Sequence, residues 1–219
     1  MNRLALFDCD GTLVDSQASI CLAMEHCFMG RKLEPPTRET IRRTVGLSLV
    51  EVVARLLPEA DNALHQAMAE DYRRSYFMLR TEGRIEDEPL YEGIIDAIET
   101  LDANGWLLGV ATGKSDRGLL RVLDAHGLRH RFITLQTADR HPSKPHPSMI
   151  ETAMAEAGAG PETTVMIGDT SFDMAMAVNA GAHALGVAWG YHTSHDLIAA
   201  GAARVADHAS ALPGHLEAL

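Results

Sequence analysis

The chain has 219 residues, of which 46% are apolar and 22% charged, with a formal net charge of −11. This is the balance of a globular protein with a sizeable core, and its acidity argues against a duplex nucleic-acid binder or an anionic membrane surface as partner. Cys9, Cys21 and Cys27 show no Cys-x-x-Cys spacing, no stretch reaches a membrane-spanning length, and the N-terminal apolar run stops at Asp8, short of a signal peptide; a reduced, cytoplasmic chain is expected.

Leu4-Ala5-Leu6-Phe7 is too short an apolar run for a helix and suits a strand buried on both faces. It ends in Asp8-Cys9-Asp10-Gly11-Thr12, where Gly11 allows a sharp turn. In an open parallel sheet this places two acids in the crevice beyond the strand's carboxyl end. Neighbouring carboxylates repel, and a hard cation such as Mg²⁺ removes that cost. A solvated surface turn is the bland alternative. An EF-hand loop fails, because the glycine stands fourth rather than sixth and Ser19 occupies the place of the closing glutamate. Cys9, alternating away from the acids, is expected in the core.

From Ser16 the pattern becomes helical for about seventy residues, broken at Gly30, Pro35-Pro36, Gly46, Pro58 and Gly83. No convincing strand falls here, and residues 15–87 read as a helical domain inserted after the first strand. The Met and aromatic positions Met68, Tyr72, Tyr76, Phe77 and Met78 read as packing. Arg42 and Arg43, just before Gly46, could reach an anionic substrate from above or form a solvated face. Asp15-Ser16 and Glu86–Pro89 read as hinges.

Helix and strand then alternate. Strands are expected over Trp106–Ala111, Phe132–Leu135, Thr164–Ile167, His183–Ala188 and Arg204–Ala206, with helices between them. That alternation predicts an α/β fold with a doubly wound parallel sheet, built from residues 1–14 and 88–219. Right-handed crossovers put the strands' carboxyl ends on one edge. Asp8, Thr112 and Asp169 would therefore converge, with Lys144 brought over them by the loop before the next helix. His141, His146, His192 and His195 show no metal-ligand spacing and read as surface or loop packing.

The run Asp8-x-Asp10-Gly11-Thr12, then Thr112, Lys144-Pro145-His146-Pro147 and Gly168-Asp169-Thr170-Ser171-Phe172-Asp173, resembles the four ordered motifs of the haloacid dehalogenase superfamily in its phosphatase form. The resemblance covers essentially the whole chain. With the Val187–Tyr191 segment, it comes nearest to phosphoglycolate phosphatases. It implies a Rossmann-like core with an inserted helical cap that excludes water and selects the leaving group. It also implies Asp8 as nucleophile and Asp10 as acid/base. Mg²⁺ would be held by Asp8, the Asp10 backbone carbonyl and Asp169, supported by Asp173. Thr112, Lys144 and the backbone of Gly11 and Gly113 would hold phosphate oxygens, and the cap's Arg43 and Gly46 are candidate substrate contacts. The expected partner is a small phosphorylated metabolite, and the expected state a monomer or homodimer. Open alternatives are a β-phosphoglucomutase-like mutase, a pyrophosphatase or nucleotidase, and a non-catalytic phosphate-binding protein. Two positions depart from the pattern: Gly113 stands where asparagine is common, putting fine substrate selection in doubt, and Ser143 stands where proline is common, a change expected to be harmless.

Overall fold

Leu4, Leu6, Ala5 and Phe7 are fully buried, and the alternation of side chains along a strand sends them to two different layers. The computed structural model describes residues 2–219. These four residues lie in β1 (Asn2–Phe7), the centre of a parallel sheet with β2 (Trp106–Thr112), β3 (Thr134–Thr137), β4 (Ala159–Gly168), β5 (His183–Val187) and β6 (Arg204–Ala206) in the order β3-β2-β1-β4-β5-β6. Phe7 pairs with Val110 on one side and Ile167 on the other.

Ala5 and Phe7 pack with apolar residues of α5 (Ile94–Ala103), α6 (Asp116–Ala125) and α10 (Leu212–Leu216). Leu4 and Leu6 pack with those of α7 (Ser148–Ala157), α8 (Ser171–Asn179) and α9 (Ser194–Ala199). Both sheet faces are covered, which is why the strands read as apolar runs rather than alternating ones. Ser115 caps α6 by accepting from Gly118 N–H at 3.2 Å, as expected of a serine at that position.

Between β1 and α5 lie α1 (Gln17–Gly30), α2 (Arg38–Arg42), α3 (Leu49–Leu56) and α4 (Asn62–Thr81). They have an apolar cluster of their own, built on Met24, Phe28, Ile41, Val53 and Met68. The chain leaves and re-enters the α/β part side by side: Asp15 N–H donates to the Pro89 carbonyl at 2.9 Å, and Tyr91 N–H to that of Leu13 at 3.1 Å. Among the described residues no helix is long and apolar enough to cross a membrane.

Several expectations need correcting: β4 begins at Ala159 rather than Thr164, β2 runs on to Thr112 and β5 stops at Val187. β3 starts at Thr134 rather than Phe132, because Phe132 turns into the core, edge-on to Phe7 with ring centroids 6.3 Å apart. Of the Met and aromatic positions read as packing, Met68 is fully buried, but Phe77 is 56% exposed and lines a cavity with Tyr72 and Tyr76.

Candidate active site

The β1 ladder runs one bond past its last residue, with Asp8 N–H donating to the Ile167 carbonyl at 2.9 Å. The chain then doubles back, Leu13 and Val14 N–H both donating to the Cys9 carbonyl. Gly11 makes this possible in two ways. Its φ of +82° is open to glycine, and a Cβ there would stand 2.2 Å from Asp169 Oδ2. Cys9 is buried in the core, where burial pushes its thiol well above the usual range.

Asp8, Asp169 and Asp173 are fully buried, and each offers an oxygen within 4.8 Å of the others. Asp169 is fixed by the Thr12 hydroxyl at 2.9 Å and by Tyr191 N–H at 2.9 Å. Asp173 belongs to the capping box of α8, accepting from Thr170 N–H and Oγ1 at 3.0 and 2.7 Å. The fully buried Lys144 joins two of the acids, with Nζ 3.0 Å from Asp8 Oδ1 and 2.6 Å from Asp173 Oδ1. Asp8 Oδ1 also accepts from Cys9 N–H at 2.7 Å, while Oδ2 has no hydrogen-bond partner.

Three buried carboxylates against one ammonium leave the cluster short of positive charge. Burial, partly offset by Lys144 and reinforced by Asp173 and Asp10, pushes Asp8 up to about 7. Burial together with Asp173 and Asp8 holds Asp169 well above the carboxylate range. For Lys144 burial acts downward, but Asp173 and Asp8 outweigh it and keep the ammonium above its ordinary range. A divalent oxygen-seeking cation fits this set: the donors are all oxygen, they converge, and the one ammonium of Lys144 does not balance three carboxylates.

Asp10 forms the second part of the site. It lines a cavity of about 490 Å³ between the α/β part and helices α1–α4, and Gly113, Lys114 and Ser143 share that wall. Lys114 Nζ lies 2.8 Å from Asp10 Oδ1 and 3.3 Å from Glu88 Oε2. Glu88 is buried and also accepts from Ser19 Oγ and Tyr76 OH, each at 2.7 Å. Burial acts to raise Glu88, yet Lys114 and these hydroxyls hold it below the usual range. Thr112 ends β2 buried, its Oγ1 accepting from Lys114 N–H at 3.3 Å.

Asp8, Asp10, Asp169, Asp173, Thr112 and Lys144 thus lie where the strand ends and their loops were expected to bring them. Gly46 and Gly113 meet back to back: a Cβ on Gly113 would stand 2.6 Å from the Gly46 carbonyl oxygen and 2.5 Å from that of Leu47. Arg43 differs from expectation. Its side chain is exposed and paired with Glu39 at 3.4 Å, and only its carbonyl turns inward, accepting from His192 Nε2 at 3.3 Å. Arg43 therefore brings no charge to the cavity. Ser143 does more than expected, its Oγ accepting from Ser48 N–H at 2.8 Å and so joining the helical insert to the loop before Lys144.

Lys114 and Glu88 were missed as site residues. Lys114, two residues beyond the end of a buried strand, carried a usable signal. Glu88 carried none, sitting in an acidic run whose Asp87 is exposed.

A model of the haloacid dehalogenase-like hydrolases matches residues 5–187. A probable phosphatase, IndB, of Dickeya dadantii is 35% identical over 225 residues, covering 100% of this chain and 95% of the relative. A phosphoglycolate phosphatase of Agrobacterium fabrum is 30% identical over 193 residues, covering 87% and 82%. The crystal structure of a hydrolase from Pseudomonas syringae superposes with a TM-score of 0.86 at 25% identity, covering 100% of this chain and 99% of that one. With the motif residues converging as described, the chain belongs to the haloacid dehalogenase-like hydrolases and is phosphoglycolate phosphatase-like among them.

Proposed function

We propose that the protein is a Mg²⁺-dependent phosphatase that hydrolyses a phosphate monoester through an aspartyl-phosphate on Asp8. The observation that carries this reading is Asp8 Oδ2, a fully buried carboxylate oxygen with no partner, beside an oxygen held by Lys144 and Cys9 N–H. Such an atom has its lone pairs free, and its carboxylate is fixed in direction.

In this reading Asp8 Oδ2 attacks phosphorus, the ester P–O bond breaks, and Asp10 gives its proton to the departing oxygen. The Thr112 hydroxyl and the Lys144 ammonium hold the phosphoryl oxygens through the change in geometry. A water then attacks the aspartyl-phosphate, Asp10 takes its proton, and phosphate leaves with Asp8 restored. Asp8 and Asp169 would hold Mg²⁺ with Asp173 in support, and the ion supplies charge neutralisation where two anions meet. Thr12 and Tyr191 keep Asp169 from turning away. Helices α1–α4, residues 15–87 with their linkers, act as the cap that excludes water from the cavity.

Phosphoglycolate is the first substrate to test, because a relative that covers most of the chain carries it in its name. The test is phosphate release from a panel of esters with Mg²⁺ and with chelator. Release that stops in chelator is the expected result. Absence of release from every ester, with Mg²⁺ present, overturns the reading in favour of a mutase or a binding protein.

A further inference from the structure

The cavity beyond Asp10 is larger than phosphoglycolate needs. At about 490 Å³ it falls within the roughly 300–1,000 Å³ range of pockets that enclose drug-sized molecules, whereas phosphoglycolate offers only a two-carbon acid past the phosphate. Its walls are also unequal. Ile20, Met24, Leu49 and Tyr72 make an apolar side, and the Tyr72 hydroxyl has no hydrogen-bond partner among the described residues.

The other side is basic, in a chain whose net charge is −11. Lys114, Arg117 and Arg121 line it in succession, the two arginines one turn apart on α6 and so about 6 Å apart along its axis. Lys114 is neutralised by Asp10 and Glu88. Arg117 and Arg121 have no carboxylate within ion-pair distance among the described residues. They lie instead on aromatic rings of α4, 5.3 Å from the centroid of Phe77 and 4.9 Å from that of Tyr76. Such contacts orient a guanidinium without cancelling its charge. Of the neighbouring acids, Asp139 also lines the cavity, with Oδ2 accepting from Asp116 N–H at 2.9 Å, and Asp87 pairs with Arg80. The cavity's fourth cation, Arg73, is paired with Glu70.

We propose that the substrate is a large phosphate monoester whose leaving group carries a second anionic group, received by Arg117 and Arg121 while its apolar body lies against Met24 and Tyr72. This rests on the phosphatase reading and deepens it, naming a substrate class that exceeds phosphoglycolate in size. Carboxylate and phosphate share the required chemistry, since both accept the paired N–H groups of a guanidinium. Arg117 and Arg121 are specificity residues remote from the reacting atoms, and their contribution is to binding.

Two matched pairs of esters test this: phenyl phosphate against 4-carboxyphenyl phosphate, and adenosine 5′-monophosphate against adenosine 3′,5′-bisphosphate. Each is measured for kcat and KM with Mg²⁺, alongside 2-phosphoglycolate. In the wild-type protein the doubly anionic member of at least one pair exceeds its partner at least tenfold in kcat/KM, through KM, and also exceeds 2-phosphoglycolate. The pair that responds tells whether the second group is carboxylate or phosphate. In R117Q/R121Q the ratio within that pair falls about tenfold. A wild-type ratio near one in both pairs, 2-phosphoglycolate as the best substrate, or an equal loss on both members in the double variant overturns the proposal; the last result makes the arginines a latch between cap and core. The same pairs are titrated by calorimetry against Asp8→Asn, so that the ratio is read without turnover. Absence of phosphate release therefore defeats the phosphatase reading, whereas equal binding within both pairs defeats this one.

Discussion

Lys114 Nζ stands 2.8 Å from Asp10 Oδ1, which gives Asp10 a cation of its own, separate from the Lys144 that serves Asp8 and Asp173. The two parts of the site therefore have separate electrostatic supports. Lys114→Met removes one of them and leaves Asp10 and Glu88 buried without it. A misplaced Asp10 costs up to about 100-fold in kcat, and the broken buried pair costs on the order of 3 kcal/mol of stability. Steady-state kinetics with a thermal melt measure both. Adding Glu88→Gln to Lys114→Met recovers part of the stability and none of the rate.

Asp8→Asn removes the proposed nucleophile and is expected to lower phosphate release by at least about 10³-fold. The fold survives, because Lys144 keeps Asp173 at 2.6 Å and the amide can still accept from Cys9 N–H. Circular dichroism and melting check the fold while phosphate release checks the role. Near-normal activity in this variant would remove Asp8 from the mechanism.

Gly113→Ala places a methyl group about where the Gly46 and Leu47 carbonyl oxygens already are. Backbone cannot swing aside as a flexible side chain does, so the Gly46–Leu47 loop of the helical insert must lift. The expected cost is about 1–3 kcal/mol, read as a fall in melting temperature at about 2–4 °C per kcal/mol. KM rises for every ester, large or small. An unchanged melting temperature and KM would mean that the loop is free to move.

Burial holds Asp8 up at about 7, against an ordinary 3.8. Between those values the metal-free native state keeps a proton that the unfolded chain has released. Its stability therefore falls as pH rises through that window. Mg²⁺ needs the ionised form, so its affinity rises over the same interval and its binding releases protons. Melting curves from pH 5 to 8, with and without Mg²⁺, should diverge with increasing pH. Parallel curves would argue that the cation is held elsewhere.

How much of the site was legible depended on which forces placed each residue. Asp8, Thr112 and Asp169 end strands covered on both faces, and such strands announce themselves as uninterrupted apolar runs. Lys144 was found by the motif it belongs to. Glu88 was not legible, because it is buried by Ser19 and Tyr76 of the helical insert, and nothing in an acidic run shows which member turns inward. Arg43 was misjudged for a related reason. The loop's backbone, rather than its charged side chain, meets His192 of the α/β part, and the direction of a loop is set by what it packs on. The Gly113 departure acquires its cause only when the Gly46 carbonyl is seen resting on it.

The position of β1 at the middle of the sheet bears on how the molecule comes to exist. Phe7, one residue before Asp8, has its strand partners at Val110 and Ile167. Both pairings close loops of more than one hundred residues, whose entropy must be met before any contact rewards it. β1 therefore has no strand partner until β2 follows on one side and β4 on the other, while α1–α4 can collapse on their own apolar cluster. The cluster of Asp8, Asp169 and Asp173 is therefore complete only once β4 and the helix after it are in place.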